Sequence, residues 1–331
     1  MKLGILGGGQ LGMMMCQEAK DLKISTFIFT DTEDSPATKF SDEHLIAQYD
    51  DFEKLEKFIQ ACDVITYEFE NIPYKTLDHI FKKKPVYPDP QINNIIQDRL
   101  SEKKFINELN IPTVPYLKIE DSKQLLSVEE KFYPAILKTR RLGYDGKGQT
   151  VINSLKEDIY IEKNDYILEK RIELKTEISV ITVRYQDNSL FSYKPIENIH
   201  KDQILYSSTS PASISYELQT KAIKWSQEII EALNYVGVIC IEFFIDKNDN
   251  LFVNEIAPRV HNSGHLTIES YNVSQFQSHL RAVCDLSPIG PKLKNKAQML
   301  NLLGEEIYKY RDQTKIEKNI HFHDYFKKEA K

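Results

Sequence analysis

Apolar positions along residues 1–90 come in short runs separated by segments with helical spacing. The runs at 3–6, 26–30, 44–47 and 64–67 read as strands, and 10–20, 52–60 and 74–82 as helices. Val86 and Tyr87 read as the start of another strand. This is the rhythm of a doubly wound parallel sheet. Helix is expected again near 91–109, closed by Ile111 and Pro112, because a residue before proline disfavours the helical region.

The pattern then changes. Runs at 135–138, 149–152, 166–169 and 178–183 are short and carry hairpin signals between them. Residues 216–233 place Ala222, Ile223, Trp225, Ile229, Ile230 and Leu233 on one helical side. Runs at 236–245 and 251–256 read as a hairpin, and 274–283 as a helix. The tail, 291–331, has a few short apolar runs of a small β domain. The expected architecture is α/β. A doubly wound domain spans 1–98, and a two-lobed α+β region is divided into 99–190 and 191–290. A short C-terminal β segment covers 291–331.

Composition narrows the function classes. The chain has 331 residues, 41% hydrophobic and 28% charged, which is ordinary for a globular protein of two or three domains. Its net charge of −6 offers no basic excess to replace phosphate counterions, so no nucleic-acid partner is expected. The longest apolar run, 236–245, is interrupted by Glu242 and is too short to span a bilayer, so no membrane partner is expected. No signal-peptide pattern opens the sequence, and a cytoplasmic location is expected. Cys16, Cys62, Cys240 and Cys284 are far apart, as reduced thiols would be. Arginine supplies only eight of the 43 basic residues. Arg99, Arg140, Arg141 and Arg259 therefore draw notice as sites where a planar fork is needed.

Four stretches carry candidate chemistry. Gly7-Gly8-Gly9-Gln10-Leu11-Gly12 follows a strand and precedes a helix. Such a turn can bind an anion at the helix N-terminus, and Asp31 lies near the spacing of a ribose-binding acid. A dinucleotide site and a plain tight turn both fit. The second stretch is Val236 to Ile245, an apolar strand with Glu242 in its middle. A buried carboxylate needs a partner. If Lys247 to Asn250 form a four-residue loop and Asp246 pairs with Leu251, Glu242 faces Glu255 across the hairpin. Two like charges that close call for a cation, and their oxygen ligands suit Mg²⁺. A one-residue change in register would separate them. The loop that follows, through Arg259, His261, Asn262 and His265, suits an anion beside that metal. The third stretch, from Lys138 to Gln149, holds three glycines and four basic residues and suits a lid over phosphates. It lacks the Walker spacing. Glu169 to Ile172 and Glu177 suit a nucleotide edge and ribose, or surface ion pairs.

Lys138, the glycine lid, the strand at 169–172, Glu177, Glu242 and Asn254-Glu255, in that order, resemble the ATP-grasp superfamily. Four motifs resemble the 5-(carboxyamino)imidazole ribonucleotide synthetases within it. These are Gly7 to Gly12, Thr66-Tyr67-Glu68-Phe69-Glu70-Asn71, Gly143 to Gln149, and Asn254 to Arg259 with His261 to His265.

The resemblance implies that Arg99 and Lys138 contact ATP phosphates under a lid of Gly143, Tyr144, Asp145, Gly146, Lys147, Gly148 and Gln149. Glu169, Lys170, Arg171 and Ile172 would line adenine, with Glu177 on the ribose and His200 nearby. Glu242 and Glu255 would hold Mg²⁺, or Mn²⁺ in its place, with Asn254 alongside. Gln10, Glu70 or Glu68, Tyr144, Asp145 and Lys147 would face 5-aminoimidazole ribonucleotide. Arg259, His261, Asn262 and His265 would border carboxyphosphate made from bicarbonate, with Asp145 also in a catalytic role. A homodimer is implied. Two departures stand out. Met13 replaces the family's arginine, and the sequence stops at Lys331, before the family's basic Gly-Arg-Lys-Met-Gly-His stretch. Lys327 and Lys328 would then serve the ribonucleotide phosphate in part. The competing readings are another ATP-grasp ligase and a nucleotide-binding protein with weakened catalysis.

Overall fold

The computed structural model describes residues 1–141, 148–154, 161, 165–311 and 319–325. Strand β1 (Lys2–Leu6) leads into helix α1 (Gln10–Asp21), followed by β2 (Ser25–Thr30), β3 (Glu43–Ile46), α2 (Phe52–Ala61) and β4 (Val64–Tyr67). The strands form a parallel sheet in the order β3-β2-β1-β4. The apolar runs of β1, β2 and β4 are buried on both faces, as crossover helices require, while the edge strand β3 is partly exposed. Helix α3 (Tyr74–Phe81) follows. The strand expected at Val86 is reduced to one isolated bridge to Ile65. Pro85 and Pro88 flank it and lack the N–H groups that would extend a ladder.

The helix expected across 91–109 is two helices, α4 (Pro90–Ile96) and α5 (Arg99–Glu108). Asp98 separates them and caps α5, accepting hydrogen bonds from the amides of Leu100 at 3.0 Å and Ser101 at 3.2 Å. Strand β5 (Tyr116–Ile119), helix α6 (Ser122–Leu126) and strands β6 (Ala135–Thr139), β7 (Gln149–Ile152) and β8 (Tyr166–Lys170) come next. The strands make an antiparallel sheet in the order β5-β8-β6-β7.

The remaining chain builds a seven-stranded antiparallel sheet. It contains β9 (Leu174–Arg184), β10 (Leu190–Ser192), β11 (Ile196–Lys201), β12 (Ile204–Ser210), then, after helix α7 (Tyr216–Ala232), the hairpin β13 (Gly237–Asp246) and β14 (Leu251–Ala257). Helices α8 (Thr267–Ser270) and α9 (Gln275–Val283) precede β15 (Ala297–Leu300) and α10 (Glu306–Arg311). The strand order is β14-β13-β9-β11-β12-β15, with β10 against β9.

Alternation along β13 explains how its buried glutamate is tolerated. Ile239, Ile241, Phe243 and Ile245 enter a core shared with α7. Val238 and Cys240 enter a second core with α1 and α9. Glu242 is next on that second face, where the core gives way to a cavity. The parallel sheet is tied to this core by His279. Its Nδ1 accepts the Val238 amide at 3.1 Å, which leaves Nε2 to donate to Thr66 Oγ1 at 2.9 Å. All four cysteines are buried and unpaired.

Candidate active site

A cavity of about 2090 Å³ opens between the two antiparallel sheets and the end of the parallel sheet. Gln10, Glu70, Arg99, Lys138, Gln149, Glu169, Lys170, Arg171, Ile172, Glu177, His200, Glu242, Asn254, Glu255, Arg259, His261, Asn262 and His265 all line it. Gly148 and Glu68 are the described candidates outside its lining. Gly143, Tyr144, Asp145, Gly146, Lys147, Lys327 and Lys328 lie outside the described residues.

The acid pair is in register by a route different from the expected one. Ile245, not Asp246, pairs with Leu251, and the regular ladder runs to Phe243 opposite Val253. Continued, it would place Asn254 opposite Glu242 and turn Glu255 to the other face. A β-bulge intervenes, and Glu242 pairs with Glu255. A bulge re-aims side chains in this way, with Asn254 as the extra residue.

Each acid has a cationic neighbour. Arg99 Nη1 lies 3.0 Å from Glu255 Oε2, and His261 Nε2 lies 3.1 Å from Glu242 Oε1. Burial pushes the His261 imidazole down, but Cys240 and Glu242 outweigh it and hold the ring up at about 10. Its Nδ1 meets Ser263 Oγ at 2.9 Å. The amide of Gln275 clamps the His261 backbone, accepting its N–H at 2.9 Å and donating to its carbonyl at 2.6 Å. No sequence signal marked Gln275, because a helical glutamine among apolar residues reads as a surface position.

On the nucleotide side, Glu169 is buried rather than a surface ion-pair residue. Its carboxylate meets Lys138 at 2.7 Å and Lys103 at 3.2 Å. Burial raises its pKa, but Lys103, Lys138 and Arg99 outweigh that and bring it to about 2. Lys103 went unnoticed in the sequence because lysines in helices are usually solvated. Glu177 and His200 are paired at 2.7 Å. At the far end, Arg259 forks onto Glu70, with Nε to Oε2 at 2.6 Å and Nη2 to Oε1 at 3.3 Å. Gln10 reaches Asn262 at 2.9 Å. His265 stacks on Phe276. Burial and the neighbouring His261 push it down to about 3, so it is neutral, and its buried Nε2 has no hydrogen-bond partner among the described residues.

At the first glycine loop, where a dinucleotide site and a plain tight turn both fit the sequence, the structure places a carboxylate of the protein itself. The Glu68 carboxylate occupies the N-terminus of α1, accepting the Gly9 amide and, at 2.6 Å, the Gly12 amide. Helix N-termini attract anions, and here the anion is the protein's own. Of the alternatives Glu68 and Glu70, only Glu70 reaches the cavity.

Glu242 and Glu255 offer the hard oxygen ligands Mg²⁺ takes alongside nucleotide phosphates. Among the described residues no group of three or more His, Cys, Asp or Glu could hold a metal alone. Two carboxylates are the share of a Mg²⁺ shell that a protein supplies where substrate phosphates supply the rest.

The fold and this cleft define the ATP-grasp class, and the chain matches the ATP-grasp domain family over residues 104–276. Residues 1–97 match the ribonucleotide synthetase preATP-grasp domain. An N5-carboxyaminoimidazole ribonucleotide synthase of Brucella melitensis is 41% identical over 99% of this chain and 92% of the relative. A solved N5-carboxyaminoimidazole synthetase of Staphylococcus aureus superposes with a TM-score of 0.92 at 36% identity, covering 100% of this chain and 90% of that one. The Aspergillus clavatus synthase, solved with ADP and 5-aminoimidazole ribonucleotide, gives 0.83 at 30%, covering 92% and 82%. The chain belongs to the N5-carboxyaminoimidazole ribonucleotide synthase family.

Proposed function

We propose that the protein is an ATP-dependent ligase that carboxylates the exocyclic amine of 5-aminoimidazole ribonucleotide with bicarbonate. The products are 5-(carboxyamino)imidazole ribonucleotide, ADP and phosphate. The observation that carries the reading is the bulge-set pair Glu242 and Glu255. Lys138, Arg99, Arg259, His261 and Asn262 line the same cavity. In this reading Arg99 and Lys138 neutralise the triphosphate, the backbone at 169–172 holds adenine, and Glu177 holds the ribose beside His200. Glu242, Glu255 and the Asn254 side chain hold Mg²⁺, which when bound neutralises charge on the β- and γ-phosphates. Mn²⁺ would substitute.

A bicarbonate oxygen attacks the γ-phosphorus and the bond to ADP breaks, giving carboxyphosphate. Arg259 and the charged His261 attract that anion, and neutral His265 lines the same cavity. The ribonucleotide amine then bonds to the carboxyl carbon. The carbon–oxygen bond to phosphate breaks, and the nitrogen loses a proton. Glu70, now paired with Arg259, lies where the amine would approach. The four-part domain division, the homodimer and the cytoplasmic location are part of the same proposal. Glu242→Gln and Glu255→Gln should each abolish ADP release while the chain still folds, as circular dichroism would show. Near-normal release by both variants would reject the assignment.

A further inference from the structure

Strand β14 is the last strand of its sheet, and among the described residues its outer edge is met by one isolated bridge, Val253 to Thr113. Val253 donates its N–H to Pro112 O at 2.9 Å. Beyond Val253 the edge is closed by ionisable side chains of α5. Lys103 Nζ donates to Asn254 O at 3.2 Å, and Ile256 N–H donates to Glu102 Oε1 at 2.6 Å. Arg99 bonds the Glu255 carboxylate at 3.0 Å. Positions 99, 102 and 103 share one helical face.

Lys103 and Glu102 are about as buried as charged side chains become, at 1% and 2% exposure. Polar groups buried this deeply are costly unless they bond. An apolar face on α5 would cover the strand but leave two backbone groups unpaired. The two groups that Lys103 and Glu102 satisfy are the carbonyl before Glu255 and the amide after it. Both peptide units flanking that residue are thus held, and the bulge falls between them and Val253.

We propose that Glu102 and Lys103 are positioning residues that pin the β14 bulge and so hold Glu255 opposite Glu242 in metal-binding register. The inference rests on the metal-site reading above. Lys103 also pairs ionically with Glu169 at 3.2 Å, so one ammonium lies between the metal strand and the nucleotide strand.

The test is calorimetric titration of the full chain with ADP, in excess Mg²⁺ and in chelator, with no turnover. The ratio of the two affinities reports the metal site. Glu102→Gln keeps an acceptor for the Ile256 amide and should keep the parent ratio. Glu102→Met removes the acceptor at similar volume and should cut the ratio about tenfold, with ADP affinity in chelator unchanged. Lys103→Met should cut the ratio similarly, and it carries the test if Glu102→Met does not fold. Glu242→Gln is the reference for loss of a metal ligand. If Glu242→Gln loses the Mg²⁺ enhancement and Glu102→Met keeps it, the clamp is wrong and the metal reading stands. If Glu242→Gln keeps it, the metal reading falls and the clamp with it. Equal damage from Glu102→Gln and Glu102→Met would also overturn the proposal, since charge rather than hydrogen-bond acceptance would then be at stake.

Discussion

Glu169 holds its charge in the interior because two ammonium groups share it, with Arg99 adding a further positive charge. Removing one member of such a group leaves the others buried and unpaired, at a cost of about 3–5 kcal/mol. Glu169→Ala should therefore lower stability by that order in urea denaturation, far more than an exposed glutamate would. His279 gives a pH signature of opposite chemistry. Burial pushes its imidazole down to about 4, while the unfolded chain binds a proton near 6.5. The unfolded state takes up more protons between those values, so stability should fall as pH drops from about 6.5 to about 4. The loss should approach about 3 kcal/mol, a difference of about 2.5 pH units. His279→Gln should flatten that window in denaturation curves collected across pH. An unchanged slope would show that other groups set it.

At the scale of elements, the hairpin and the glycine turn show what local sequence reveals. An apolar strand with one central acid was legible, as was its return strand. The facing of Glu242 and Glu255 was legible too, although the turn assumed for it was off by one residue. The bulge at Asn254 restores the pairing, and a bulge held by side chains of α5 leaves no mark in the hairpin's own sequence. The glycine turn is ambiguous for a related reason. Its partner, Glu68, lies 59 residues from Gly9 along the chain. Gly7 has φ of +106°, and a Cβ there would meet Glu68 Cγ at 2.3 Å. Gly7→Ala should cost more than about 1 kcal/mol in thermal or urea denaturation. Since Glu68 already fills the helix N-terminus, NADH should give no binding signal in calorimetry while ATP does. Tight NADH binding would mean that the carboxylate yields its place to phosphate.

Across the whole molecule, the parallel sheet was legible because its strands are mostly continuous apolar runs that alternate with amphipathic helices. Strands β5 and β10 to β12 were missed. They are short or carry serine, threonine and asparagine inward, as in the buried chain Ser208–Asn198–Ser179 at 2.8 and 2.9 Å. The strand in the tail was expected as part of a small β domain. It pairs with β12 and extends the central sheet, a long-range contact that no local pattern specifies. The candidate residues that line the cavity were singled out through motifs, whereas Glu102, Lys103 and Gln275 bond backbone and lie outside them. The proposed homodimer predicts twice the chain mass by light scattering at assay concentration, and a monomer mass would reject it.

The most direct test of the central claim is ADP release measured with 5-aminoimidazole ribonucleotide and bicarbonate each present and absent. The account predicts sustained ADP formation only when ATP, Mg²⁺, the ribonucleotide and bicarbonate are all supplied, with one ribonucleotide consumed per ADP. ADP formation indifferent to the ribonucleotide, or ATP binding without turnover under the full mixture, would contradict it.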